Sequence, residues 1–256
     1  SVDLLIDGKE AFSRIIENIR KAEKSIYINI FLWRDDNIGN QIGKELLKKA
    51  NDGVEITIVK DRLGALFEVS QWQKQSFFNK GLSQEELQTA ALIDVSNQSS
   101  EEAHSNDQVE NSLSQELINH SNLTVQYNEV RNDHSKYYIF DNETLITGGM
   151  NIGDEYHQHW HDYMVEMKSP LLVSKFKDRI CGKDDFDEGS SIEFMLNYQS
   201  DVLNKREEKP KMIELLENAQ EEVIIEMAYF GDQEITNAII ASANRGVRVS
   251  IITPEM

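Results

Sequence analysis

Two hydrophobic periods alternate along the first part of the chain. "KEAFSRIIENIRKAEK" (9–24) sets Phe12, Ile15, Ile16 and Ile19 on one helical face. "SIYINIFLW" (25–33) is β-branched and aromatic and predicts a buried strand. "NIGNQIGKELLKKANDG" (37–53) returns to helical spacing and stops at Gly53, a suitable C-cap. "VEITIV" (54–59) predicts a second strand. This order predicts parallel strands joined by crossover helices, an α/β fold. The pattern then recurs. "LLEN" (215–218) echoes "IIEN" (15–18), "VIIEMAYF" (223–230) echoes "SIYINIFLW", and "NRGVRVSII" (244–252) echoes "NDGVEITIV" (51–59). Because the order is also kept, an internal duplication is expected. Its first half covers 1–181, a polar linker covers 182–211, and the start of a second half covers 212–256. Pro210 suits the first turn of the next helix.

Composition changes this picture in one place. Residues 81–130 hold nine carboxylates and no Lys or Arg, with few large apolar side chains. A surface insertion at about 81–122, mobile or weakly helical, is expected there. The whole chain has 26 Lys and Arg against 45 Asp and Glu, a net charge of −19. Such a chain repels polyanions, which argues against nucleic acid as a partner and against loose docking on an anionic bilayer. Cys181 is the only cysteine, so an intrachain disulfide and a Cys-rich zinc site are excluded. No apolar run reaches the roughly 18 residues that suggest a membrane span. The chain starts at Ser1 and not Met, so an upstream signal or membrane segment is an open expectation.

The densest chemistry lies in "HSKYYIFDNETLITGGMN" (134–151). "KYYIF" and "LIT" predict a hairpin turning at "DNET". Side chains two apart on a strand point the same way, so His134 and Lys136 should share a face. Gly148 and Gly149 would let backbone N–H groups approach a ligand. Asn151 would add an amide at the start of a following helix, where an anion is favoured. These groups can converge on one phosphate. His134 is then a candidate nucleophile, with Lys136 and Asn151 holding the non-bridging oxygens. A carboxylate on the far nitrogen of His134 would fix its tautomer, and Asp162 in "HWHDYMVEM" is the candidate. Asp141 is the lesser candidate, because five residues beyond Lys136 it should help fold the hairpin. The scheme needs no metal or cofactor.

The spacing His134-x-Lys136-x4-Asp141-x6-Gly148-Gly149-x-Asn151 resembles the signature of the phospholipase D superfamily. "GGMNIGDEY" followed by "WHDYMVEMKSP" resembles its bacterial cardiolipin synthase branch, and "AYF…ITNAIIASANRGVRVSIITP" resembles the start of that branch's second half. The resemblance covers most of the chain outside 81–130. It implies an α/β/α sandwich with a mixed sheet, and phosphodiester cleavage or phosphatidyl transfer through a phosphohistidine. It further implies a phospholipid substrate such as phosphatidylglycerol, and a bacterial protein that is cytoplasmic or membrane-associated. A nuclease-type phosphodiesterase and a non-catalytic lipid-binding relative are the alternatives. Family members bring two such motifs together at one site, and this sequence contains one. The partner motif is expected from a longer chain beyond Met256 or from a second copy in a homodimer.

Other polar signals carry less. His157, His159 and His161 in "HQHWH" have metal-like spacing only on a strand, and "NIGDEY" before them predicts a helix. The resemblance puts that stretch at the mouth of the site, with Glu155 a candidate substrate-side residue. Trp33, Arg34 and Asp35 follow a strand end, where α/β sites lie, and are expected to close a loop. Trp72, Phe77 and Phe78 are expected in the core.

Overall fold

A computed structural model describes residues 1–70, 76–78, 111–127, 133–183, 192–199, 204–229 and 231–254. The chain divides into two compact units, Ser1–Lys177 and Asp178–Met256. The strands of the first are β1 (Val2–Ile6), β2 (Ser25–Ile30), β3 (Glu55–Lys60), β4 (Leu123–Tyr127), β5 (Lys136–Phe140), β6 (Thr144–Gly148) and β7 (Tyr163–Lys168). Its helices are α1 (Asp7–Lys21), α2 (Asn37–Asn51), α3 (Arg62–Ser70), α4 (Ser112–Ile118), α5 (Asp154–Gln158) and most of α6 (Pro170–Ile180).

The seven strands form one mixed sheet in the order β1-β7-β6-β5-β2-β3-β4. β2, β3 and β4 run parallel, and the remaining pairs are antiparallel. The apolar stripe of α1 (Phe12, Ile15, Ile19) and that of α2 (Ile38, Ile42, Leu46) bury against Ile26, Ile28, Tyr138 and Ile146 of the sheet. On the opposite face Phe176 of α6 meets Tyr137 edge-on at 4.9 Å. The unit is therefore an α/β/α sandwich with a mixed sheet.

Two elements depart from the sequence expectation. β1 pairs with β7 as an edge strand, tying the start of the unit to its end. The acidic stretch is ordered before residue 122: α4 buries Leu117 and is capped by Asn111, which accepts the N–H groups of Leu113 and Ser114. β4 follows directly and extends the sheet beside β3. The cause is economy of contact, since one buried leucine and one capping amide hold a short helix that composition alone reads as loop. Residues 81–110 lie outside the described residues.

The β5–β6 turn settles the place of Asp141. Asp141 and Asn142 have φ of 53° and 57°, a left-handed pair that Asp and Asn adopt more readily than other non-glycine residues. The Asp141 carboxylate accepts the backbone N–H groups of Glu23, Lys24 and Ser25 at 2.9, 2.8 and 2.8 Å. These bonds hold its pKa below the ordinary carboxylate value despite its burial. Asp141 sits at the far end of β5 from Lys136, roughly 16 Å away at about 3.3 Å per residue. It belongs to the hairpin and the start of β2, the structural place its spacing from Lys136 predicts.

In the second unit a parallel pair, β10 (Glu222–Glu226) and β11 (Arg248–Ile252), carries α7 (Glu208–Asn218) and α8 (Gln233–Asn244). Leu216, Ala238 and Ile239 form its buried cluster. A short hairpin, β8 (Asn197–Gln199) with β9 (Asn204–Arg206), lies in the stretch read as a linker. Two local devices match the first unit. Gly53 and Gly246 both have φ of 91° just before the second strand of each parallel pair. Asp36 and Asp232 cap α2 and α8 through side-chain acceptance of first-turn N–H groups.

Replacing Asp141 by Ala strands three N–H groups and should lower stability by about 2 kcal/mol or more. Asp141→Asn keeps an acceptor and the left-handed turn and should lose less. Urea midpoints check this order, and equal midpoints for both variants and wild type would contradict the anchoring role.

Candidate active site

β2, β3 and β6 end, and β5 begins, along one edge of the sheet. His134 lies two residues before β5 on that edge. Its ring rests on Phe31, just past β2, with centroids 4.1 Å apart. Its Nδ1 is 3.1 Å from Lys136 Nζ, which also donates to the His134 carbonyl at 2.5 Å. Lys136 is buried, opposite Gly148 in the ladder, and its ammonium lies 5.7 Å from the Phe31 ring centre.

The electrostatics suit a displacement at phosphorus. Burial lowers the Lys136 pKa to about 8, against the opposing pull of Asp162 and Asp133. Burial, then the Lys136 charge, lowers the His134 pKa below its ordinary 6.5, and Asp61 and Asp133 oppose that. At neutral pH a neutral imidazole therefore stands beside an ammonium. Such a pairing has the chemistry to serve as a nucleophile and a holder for anionic oxygens.

The other predicted residues take different places. Asp162 accepts the N–H of Tyr163 at 2.7 Å and lies against Gly149, where an added Cβ would come within 2.4 Å of Oδ1. Its charge acts on Lys136. The structure brings Lys136 to Nδ1 of His134, and the Asp162 carboxylate supports the Lys136 ammonium. The two glycines are held against β7. Gly149 donates to the Tyr163 carbonyl at 3.1 Å. At Gly148 a Cβ would lie 2.3 Å from the same carbonyl, so this glycine allows close approach of β7.

Asn151 is also engaged. Its Oδ1 accepts the Leu32 N–H at 3.0 Å, and its Nδ2 donates to the Tyr156 hydroxyl at 3.2 Å. Leu32 lies past the end of β2, where a buried N–H needs a side-chain acceptor. The N-cap of α5 is Gly153. Glu155 lies 3.7 Å from the buried Arg34 guanidinium and so braces the loop after β2. His157 packs edge-on to Phe12, while His161 contacts Asp7 and the Tyr163 hydroxyl. Among the described residues no three His, Cys, Asp or Glu side chains converge as metal ligands. Trp33, Phe77 and Phe78 form a buried aromatic cluster, and Trp72 lies outside the described residues.

Sequence reasoning missed four residues that frame His134: Asn29, Phe31, Asp61 and Asp133. Asn29 on β2 donates to the Ser135 carbonyl at 3.0 Å, and Asp61 accepts the Asp133 N–H at 2.9 Å. Both are buried. Their signals were present as an Asn inside an otherwise apolar strand and an Asp directly after "ITIVK", three residues before Gly64.

A histidine–lysine pair at the edge of such a sheet is the arrangement of a phospholipase D-like domain. A family model described as "Cardiolipin synthase, PLD-like domain" matches residues 15–181 and 212–256, and the chain belongs to that family. It is 23% identical to the major cardiolipin synthase of Bacillus subtilis, over all of this chain and 51% of the relative. It is 24% identical to a cardiolipin synthase of Oceanobacillus iheyensis, over 99% of this chain and 51% of the relative. The chain thus spans about half the length of these curated relatives. Among solved structures, a phosphatidylserine synthase of Haemophilus influenzae superposes with a TM-score of 0.62 at 17% identity. It covers 98% of this chain, which covers 61% of it, and the likeness concerns the fold.

Asn151→Ala should cost about 2 kcal/mol, because the Leu32 N–H is left buried without an acceptor. An Asn151 that served only to grip a ligand would leave the urea midpoint unchanged. Denaturation of the two proteins side by side distinguishes these outcomes.

Proposed function

We propose that the chain carries one half-site of a phosphatidyl-transfer enzyme of the cardiolipin synthase type, with His134 as nucleophile. The observation that carries this reading is the His134–Lys136 pair, 3.1 Å apart on the Phe31 ring, within the family motif. The lipid phosphate would sit with an anionic oxygen on Lys136. A ring nitrogen of His134 attacks phosphorus, forming a P–N bond as the P–O bond to the leaving alcohol breaks. That alcohol takes a proton from a general acid. The acceptor hydroxyl then attacks phosphorus, forms a new P–O bond and releases His134, its proton passing to the same group acting as base. A second phosphatidylglycerol as acceptor gives cardiolipin, and water gives a phosphatidic acid.

The general acid would come from a second motif. The 212–256 match to the same family, the shared Gly53 and Gly246 conformation, and the paired Asp36 and Asp232 caps support reading the second unit as the start of a second copy. Relatives about twice this length support the same reading. The net charge of −19 favours a lipid over a nucleic acid substrate. No helix among the described residues is long and apolar enough to cross a bilayer.

His134→Ala in the full-length protein should lower phosphatidylglycerol turnover by at least about 1,000-fold, the loss expected when a covalent route is removed. Turnover within tenfold of wild type would end the nucleophile assignment. The pH dependence of kcat/KM should rise as His134 loses its proton, at a pH below 6.5, and fall as Lys136 loses its charge near pH 8. An activity still climbing at pH 10 would contradict the role of Lys136.

A further inference from the structure

His134 lies outside the sheet ladder, yet the residues around it are held from another strand. Asp61 follows β3 directly and is 2% exposed. Its Oδ1 accepts the Gly64 N–H at 3.0 Å, which caps the first turn of α3. Its Oδ2 reaches across to the Asp133 N–H at 2.9 Å. Asp133 in turn accepts the Ser135 N–H at 3.0 Å, so the two residues flanking His134 are clamped to each other and to Asp61. The same turn packs against Phe31. At Gly64 a Cβ would lie 2.1 Å from the Phe31 carbonyl oxygen, so only glycine lets α3 pack there, and the Phe31 ring is the platform under His134.

We propose that the Asp61-Arg62-Leu63-Gly64 turn is a positioning device for the nucleophile, in which Asp61 holds the Asp133 backbone and Gly64 seats Phe31. This rests on the reading of His134 as nucleophile. The charged groups acting on the imidazole are Lys136 from β5, Asp61 from the end of β3, and Asp133 from its own loop. One carboxylate therefore has two separable duties, a helix cap and a grip on the nucleophile loop.

Asp61→Ser separates them, because a serine hydroxyl caps a helix about as well but is too short to serve two N–H groups. In the full-length enzyme, kcat should fall about 100-fold, the loss typical of a roughly 1 Å displacement, while KM stays within about twofold. By NMR, the Asp133 amide should lose exchange protection and the His134 pKa should move further down, since a carboxylate that raises it is gone. Asp61→Asn turns one acceptor into a donor and should show the same loss of protection and kcat. Wild-type kcat, Asp133 protection and His134 pKa in a folded Asp61→Ser protein would overturn the proposal, as would a loss confined to thermal stability. The two NMR measurements need no activity. If His134→Ala stays active while Asp61→Ser frees the Asp133 amide, the function reading fails and the geometric one stands.

Discussion

A side chain placed two residues before a strand has no ladder to hold it. His134 is in that position, and everything else at the site depends on how it is fixed. The sheet supplies side chains in place of ladder bonds: β2 brings Asn29 and, just beyond its end, Phe31, and β3 delivers Asp61. Lys136, the first residue of β5, then has one place to put its ammonium, against the imidazole and the His134 carbonyl. The site is thus a product of strand order. β5 lies next to β2, and β2 next to β3, so groups far apart in sequence meet at one edge.

The ends of β2 and β3 are themselves locked from behind. Glu68 of α3 accepts the Trp33 N–H and forms a fully buried ion pair with Lys60 at 2.6 Å. Asn151 takes the Leu32 N–H, and the segment after β6 bonds alongside Leu32 and Arg34. Asp36 and Asp154 exchange bonds with the first turns of α5 and α2. Buried charges that each have partners specify one arrangement, because breaking any of them leaves a costly orphan. The loop carrying Phe31 is therefore rigid on both sides. The charge balance follows, with Asp162 and Asp133 sustaining the Lys136 ammonium against its burial.

The strand–helix–strand order of each unit and the β5–β6 hairpin were legible in the sequence because their periods are strong and their turn residues specific. His134 and Lys136 were legible because two residues at fixed spacing on one strand start must lie together. The bonding partners of Gly148, Gly149, Asn151, Asp162 and Glu155 were not, because each comes from another element: Tyr163, Leu32, Lys136 or Arg34. Asp61 was hidden for the same reason. β1 and α4 escaped because they are short and their partners, β7 and α2, are distant in the chain.

The central claim is that His134 becomes covalently bonded to phosphorus. It is tested most directly by mixing the full-length protein with phosphatidylglycerol, quenching within the first turnover under conditions that preserve a P–N bond, and locating the added mass by peptide mass spectrometry. The account predicts a phosphatidyl adduct on the peptide containing His134 that forms and decays within turnover. Turnover with no adduct there, or an adduct on another residue, would contradict it.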